Sequence, residues 1–126
     1  MATRRCQLMP FDTERWRSDI QLSGCSEATR GVWVDWLAAM WEADRSGVIM
    51  GDTNYLARIG RSTVDGVQLA LRELTHTNAA TIENCDNGMI RVINRKMKRD
   101  SDRRNGNAKR QERFYTAATN VTLDAD

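Results

Sequence analysis

Apolar residues recur at spacings of three and four along the first half of the chain, which is the period of an amphipathic helix. The longest such pattern lies between residues 28 and 44, after a break at Ser23-Gly24-Cys25 and before Gly47. Its apolar face consists of Val32, Trp33, Trp36, Leu37, Met40 and Trp41. We predict a helix here with Ser26 as its N-cap. Residues 10–23 are expected to form a short helix or an ordered arm before it.

Two shorter helical patterns follow a brief strand at Val48-Ile49-Met50. Asp52 or Thr53 is predicted to cap the second helix, which ends at Gly60. Ser62 is predicted to cap the third, whose inward positions are Val64, Val67, Leu71 and Leu74. The four-residue connection from Ile59 to Ser62 between two short helices is typical of a helix-turn-helix.

The period changes from 3.6 to 2 after Asn78. Alternating residues 80–84 and 89–94 flank Cys85-Asp86-Asn87-Gly88. The Asn-Gly pair predicts a tight hairpin turn because both residues accept positive φ.

The order of these elements predicts a mainly α fold with a small β-hairpin, arranged as a winged helix-turn-helix in which the hairpin is the wing. A three-helix core without a wing is the alternative, whereas a four-helix bundle would require residues 80–94 to be helical, against their alternation. The predicted organisation is an N-terminal extension (1–9), a winged-helix domain (10–94), and a basic C-terminal helix with a flexible tail (95–126). Asn105-Gly106-Asn107 is expected to interrupt that last helix.

Composition excludes several classes of protein. The 126 residues suffice for one domain, and no run of about 18 apolar residues predicts a membrane span. No apolar stretch follows the N-terminal charges, so we expect no secretory signal and a cytoplasmic protein. Three cysteines and one histidine give neither a disulfide framework nor a zinc pattern, and we expect no metal or cofactor. No catalytic constellation is present: His76 is expected at a helix end, and Asp35 and Glu42 as solvated charges. An enzyme is not expected.

The charge distribution is asymmetric and points to nucleic acid. Residues 1–90 carry a net charge of −3, and residues 91–126 carry +5. Arg58 and Arg61 bracket the predicted turn, and the backbone amides of Ser62 and Thr63 are candidates for holding a phosphate. The further candidate DNA contacts are Gln68 and Arg72 on the third helix, Asn87 in the wing, and Arg91, Arg95, Lys96, Lys98 and Arg99 at the start of the tail. If about five cations bound phosphates, affinity would fall with salt at a slope of roughly −4 to −5.

The outward face of the third helix favours a different class of partner. Asp65, Leu69 and Glu73 are predicted there, and carboxylates suit a DNA groove poorly. A module that docks a replication protein or a host protein is therefore the competing hypothesis. The tryptophans at helical spacing (Trp33, Trp36 and Trp41) are interpreted as core, and Trp16 as packed against the body, although a tryptophan can also stack on bases.

Residues 9–113 resemble a family of phage and prophage winged-helix proteins that often form the leading domain of replication-initiator or replisome-organiser proteins. The resemblance lies in short motifs: Met9-Pro10-Phe11, Trp16, Asp19, Leu22-Ser23, Arg30-Gly31-Val32-Trp33, Leu37, Met40-Trp41, Gly47, Leu56-Ala57-Arg58-Ile59-Gly60, Ser62, Asn87-Gly88, Arg95, Met97, Arg99-Asp100 and Arg103-Arg104-Asn105-Gly106. It implies binding to DNA, duplex rather than single-stranded, in the service of replication in a bacterial host cytoplasm. Eight residues precede Met9, and the chain stops where larger family members continue, so the activities of their further domains are not expected here.

Overall fold

The computed structural model describes residues 8–124, with side chains to residue 116 except residue 115. The chain is mainly helical with a small three-stranded sheet. The helices are α1 Thr13–Ser18, α2 Ile20–Ser23, α3 Glu27–Glu42, α4 Thr53–Ile59, α5 Val64–His76 and α6 Arg95–Asp124, and the strands are β1 Val48–Gly51, β2 Thr81–Asn84 and β3 Ile90–Ile93. Within the described residues no helix is long and apolar enough to cross a membrane.

The predicted arm before α3 consists of two short helices, each started by an aspartate. The carboxylate of Asp12 accepts a hydrogen bond from the Arg15 backbone N–H at 3.0 Å, and that of Asp19 accepts one from the Leu22 N–H at 3.1 Å. Asp19 has extended backbone, which separates the two helices. Leu22 is buried and fastens the arm to the core.

Helix α3 forms the centre of the core through most of its predicted apolar face, whereas Trp41, also predicted as core, is half-buried and lies outside the core cluster. Ser26 is its N-cap, with its hydroxyl oxygen accepting from the Thr29 N–H at 3.3 Å. Trp36 and Met40 are fully buried, and the Trp36 indole N–H donates to the Leu56 carbonyl of α4 at 3.0 Å. The helix ends at Glu42 because the chain turns through positive φ at Asp44, Arg45 and Gly47.

The connection between α4 and α5 comprises residues 60–63. Asp52 caps α4, as one of the two predicted alternatives, through a 2.8 Å bond from the Tyr55 N–H. The predicted Ser62 cap of α5 is wrong by one residue. Arg61 turns the chain at φ 49°, and Thr63 is the residue with extended backbone whose hydroxyl accepts from the Gly66 N–H at 3.0 Å.

The buried face of α5 differs slightly from the predicted one. Val67, Ala70 and Leu74 are buried, whereas Val64 and Leu71 are half-buried. The apolar spacing did not identify Ala70, because a small side chain gives a weak hydrophobic signal even where it allows two elements to approach closely.

The predicted hairpin is confirmed and is part of a larger sheet. Both neighbours of β3 are antiparallel, in the order β1-β3-β2, so the brief strand β1 completes a three-stranded sheet. Val92 is buried between its partners Ile49 and Ile82. Asn87 and Gly88 have φ of 64° and 73°, and the Met89 N–H donates to the Asp86 carbonyl at 3.3 Å, as a type I′ turn requires.

Helix α6 continues through Asn105-Gly106-Asn107, so the predicted interruption is wrong. A glycine inside a helix costs about 1 kcal/mol relative to alanine, which weakens a helix without ending it. Pairs one turn apart, Lys96 with Asp100 and Lys98 with Asp102, support its start. Met97 packs on the core and Ser101 is buried, whereas the described side chains from Asp102 onward are exposed.

Candidate nucleic-acid interface

The α4–α5 turn brings together two of the predicted phosphate-binding arginines, and one of them is paired. The Arg61 guanidinium lies 3.0 Å from the Asp35 carboxylate of α3, with a second contact at 3.2 Å from its Nε. The Arg61 side chain remains 81% exposed. Arg58 lies over the Tyr55 ring at 5.4 Å and, within the described residues, forms no salt bridge. Arg58 therefore carries an uncompensated charge, and Arg61 one that is partly compensated.

The amides at the start of α5 are less free than the sequence suggests. The Ser62 N–H donates to the Ala57 carbonyl at 2.9 Å, and the Gly66 N–H is bound by the Thr63 hydroxyl. One of the two backbone amides predicted to bind a phosphate, that of Ser62, is therefore already hydrogen-bonded within the chain.

The outward side of α5 displays polar residues beside an apolar groove. Asp65, Gln68 and Arg72 are exposed, and Leu69 is half-buried. A groove of about 810 Å³ lies between α5 and β2, with Leu69, Leu71, Arg72, His76 and Ile82 among its lining. We name this the α5–β2 groove.

Glu73 was predicted to face outward with Asp65 and Leu69, and this is wrong. Its carboxylate accepts hydrogen bonds from the Ser26 hydroxyl at 2.6 Å, the Thr29 hydroxyl at 2.7 Å and the Ser26 N–H at 2.9 Å. These hydrogen bonds, that of Ser26 above all, hold the pKa of Glu73 below its ordinary value.

The sequence carries a faint signal for this role. In a capping box, the residue three positions after the N-cap is Glu or Gln and binds the N-cap N–H. Here that position is Thr29, and Glu73 of α5 supplies the missing carboxylate from another helix.

Most of the predicted cations in the hairpin and at the start of α6 are already engaged by other groups of the chain. Asn87 is exposed at the hairpin tip, and Arg91 pairs with Glu83 across the two strands at 3.1 Å. Arg95 donates to the Asn78 carbonyl at 2.6 Å and to the Thr81 hydroxyl at 3.2 Å, which anchors α6 to the sheet. The Lys98 ammonium lies 2.8 Å from Asp102, and that of Lys96 lies 3.9 Å from Asp100.

Among the predicted DNA contacts, four arginines form no salt bridge inside the described part of the chain: Arg58, Arg72, Arg95 and Arg99. Of these, Arg95 is hydrogen-bonded to Asn78 and Thr81. Arg99 lines a different groove, formed with α1, whose aromatic members the sequence did not connect with it. Asp35 was predicted to be a solvated charge, and its role at the turn was not predicted. Only the fold brings it to Arg61, 26 positions away.

The described residues give little support for metal binding or for thiol chemistry. No group of three or more His, Cys, Asp or Glu side chains is arranged there to hold a metal ion. Cys25 is buried, Cys85 is exposed, and both are free thiols. The third cysteine, Cys6, lies outside the described residues.

Comparison of this chain with protein-family models, with curated proteins and with solved structures finds no match. The resemblance to phage replication proteins therefore stays a prediction.

Proposed function

We propose that this chain is a winged helix-turn-helix protein that binds duplex DNA mainly through phosphate contacts. The observation that carries the proposal is the topology. Helices α4 and α5 are joined by a short turn, α3 braces both, and the β2–β3 hairpin follows α5 directly while pairing with β1. In a helix-turn-helix the second helix lies in the major groove, and α5 has that position in the order.

The exposed residues of α4 and α5 supply the contacts. Arg58 and Arg72 offer cations that form no salt bridge in the described residues, although Arg72 lies within electrostatic reach of Glu73. Arg61 offers a third cation, which must exchange Asp35 for a phosphate. Three phosphate contacts correspond to a salt slope of roughly −3, shallower than the five contacts expected from the sequence.

Base readout is a minor part of the proposal. Gln68 is exposed and could reach base edges, but Asp65 lies one turn before it in the same helix. We therefore expect Arg58→Ala and Arg72→Ala to weaken binding by similar factors on unrelated duplexes, because phosphates are common to all sequences. Arg17→Ala on exposed α1 is the matched control and should leave duplex affinity unchanged. A strongly sequence-selective loss in Arg72→Ala would contradict the phosphate model.

A docking module is the second candidate, and the α5–β2 groove favours it. Leu69, Leu71 and Ile82 give this groove an apolar lining that DNA does not require. Under this hypothesis Leu69→Arg would abolish capture of a replication or host protein without changing duplex affinity. Glu73 also lines this groove, but its carboxylate is engaged by the hydroxyls of Ser26 and Thr29.

A role in replication, and a phage origin with action in the bacterial cytoplasm, belong to the proposal only through the resemblance. A DNA-binding fold serves many processes, so binding alone does not assign one of them.

A further inference from the structure

A second groove, of about 330 Å³, lies between α1, α3 and the first turns of α6. Its walls combine aromatic and cationic side chains: Phe11, Arg15, Trp16, Arg95, Lys96 and Arg99. We name it the α1–α6 groove. Its volume is near the lower end of the range for small-molecule pockets, roughly 300–1,000 Å³, which suits one nucleotide unit rather than a folded partner.

This groove is separate from the α4–α5 turn. Trp33 and Leu37 of α3 line it, and they lie one helical turn apart on one face of α3. Asp35, which binds Arg61 of the turn, comes two residues after Trp33 and so points about 200° away around the helix. The α1–α6 groove and the duplex surface proposed above therefore lie on different sides of α3.

The groove is positively charged where a ligand would lie. Its two carboxylates, Asp12 and Asp19, both accept backbone N–H bonds as helix N-caps. Four cations line the groove with these two carboxylates. Lys96 is paired with Asp100, whereas Arg15 and Arg99 form no salt bridge within the described residues. The Arg95 guanidinium is fixed by its bonds to Asn78 and Thr81, so part of the positive charge is held in place.

The aromatic wall distinguishes between anionic ligands. The Phe11 and Trp16 rings are 5.4 Å apart at 49°, and Phe11 is 47% exposed. An exposed aromatic beside arginines suits a ligand with both a flat face and a phosphate. An unpaired nucleotide has both, a duplex keeps its base faces stacked inside, and an acidic peptide has no base.

We propose that the α1–α6 groove binds single-stranded nucleic acid, with a base against the Phe11–Trp16 aromatics and its phosphate between Arg15 and Arg99. This site adds to the proposed duplex function and does not depend on it. A protein with both sites would hold a duplex on one side of α3 and an opened strand on the other.

The test uses fluorescence anisotropy of the full chain with fluorescein-labelled hexathymidylate, and in parallel with a labelled duplex. Arg15→Ala, Arg99→Ala and Phe11→Ala should each weaken hexathymidylate binding at least about fivefold, since base–aromatic stacking and phosphate contacts are each of that size or larger. All three residues are exposed, so the variants should fold, which circular dichroism checks. Arg17→Ala, two positions from Arg15 on α1, is the matched control and should bind both probes like the wild type.

The reciprocal variant separates this proposal from the duplex proposal. Arg72→Ala should weaken duplex binding and leave hexathymidylate binding within about twofold. If the duplex fails to bind while the three groove variants still weaken the single strand, the duplex proposal alone is overturned. Wild-type chain that does not bind hexathymidylate, or groove variants that bind it normally, would overturn the present proposal. So would unlabelled tripolyphosphate or hexa-aspartate competing as well as hexathymidylate, because the base would then play no part.

Discussion

The two sides of α3 carry similar residues but use their charges differently. On the turn side, the Asp35 carboxylate binds the Arg61 guanidinium and offsets part of its charge. On the groove side, Asp12 and Asp19 are engaged by backbone N–H groups, and Arg15 and Arg99 remain without salt bridges in the described residues. The charge that a surface presents therefore depends on what its carboxylates bind, which the net charge of +2 for the whole chain does not reveal.

Both proposed binding sites depend on α3 as a common, rigid support. Trp36 is the residue of α3 whose loss should disrupt that support most. Its side chain is fully buried and its indole N–H binds the Leu56 carbonyl. Trp36→Ala should lower the free energy of unfolding by about 3–5 kcal/mol and weaken both binding activities together. Urea unfolding followed by circular dichroism measures the loss, with Trp36→Phe as a milder control. A change under about 1 kcal/mol would mean that α3 is not the common support.

Glu73 tests the junction of α3 with α5, on which the turn side depends. Its folded-state pKa lies below the ordinary 4.5, so the ionised carboxylate stabilises the fold above pH 4.5. That stabilisation is lost as pH falls through the lower, folded-state pKa, since the unfolded chain binds the proton more readily. Glu73→Gln should therefore be less stable than the wild type near neutral pH, and the difference should shrink on acidification below about pH 4.5.

Urea titrations at a series of pH values measure that difference. Exposed Asp65→Asn on the same helix is the control. If the difference in unfolding free energy between wild type and Glu73→Gln did not vary with pH, the hydrogen bonds from Ser26 and Thr29 to the ionised carboxylate would not stabilise the fold.

Asp35→Asn sharpens the contrast between the two sides directly. Removing the carboxylate frees Arg61 for phosphate, so duplex affinity should rise by about threefold, the scale of an exposed salt bridge. Hexathymidylate affinity should not change, because Asp35 faces away from the α1–α6 groove. Glu42→Gln removes the same charge two turns along the same face of α3 and should have a smaller effect on duplex affinity. Equal gains in both variants would show a general charge effect and no specific role for Asp35.

Gly31 provides the smallest test. A Cβ added at this position of α3 meets no atom within 4 Å, so Gly31→Ala should raise the free energy of unfolding by about 0.5–1 kcal/mol. Neither binding affinity should change, because no charge or aromatic side chain is altered. Gly60→Ala is the contrasting control: its Cβ would lie 2.9 Å from the Trp36 indole nitrogen, and it should destabilise. A change in binding affinity in Gly31→Ala would mean that affinity depends on the stability of the helix and not on the charged and aromatic side chains of the two proposed sites.

The sequence predicted the parts of the fold that depend on local rules. Three features follow from spacing and residue type and are confirmed: the N-cap Ser26, the Asn87-Gly88 turn, and the buried Trp33 and Trp36. The cap of α4 is Asp52, one of the two residues that the sequence offered. The prediction of a Ser62 cap failed because neighbouring cap positions differ by about 1 kcal/mol, within what packing can override. The predicted break at Gly106 failed because one glycine weakens a helix by only about 1 kcal/mol.

The candidate sites were harder to predict than the fold. Glu73 with Ser26 and Arg61 with Asp35 are contacts between residues at least 26 positions apart, and Arg99 and Phe11, which line the same groove, are farther apart still along the chain. No local pattern marks such a pair before the chain is folded. The basic tail was visible in the sequence, but the carboxylates that pair with its lysines at the start of α6 lie on the same helix and reduce the charge available for a partner.

The most direct test of the proposed function is a titration of a labelled duplex of arbitrary sequence with the full chain at several salt concentrations. We predict measurable affinity at low salt that falls with a log–log slope of roughly −3, in accordance with phosphate contacts from Arg58, Arg61 and Arg72. The absence of duplex binding at low salt, or an affinity independent of salt, would contradict the account.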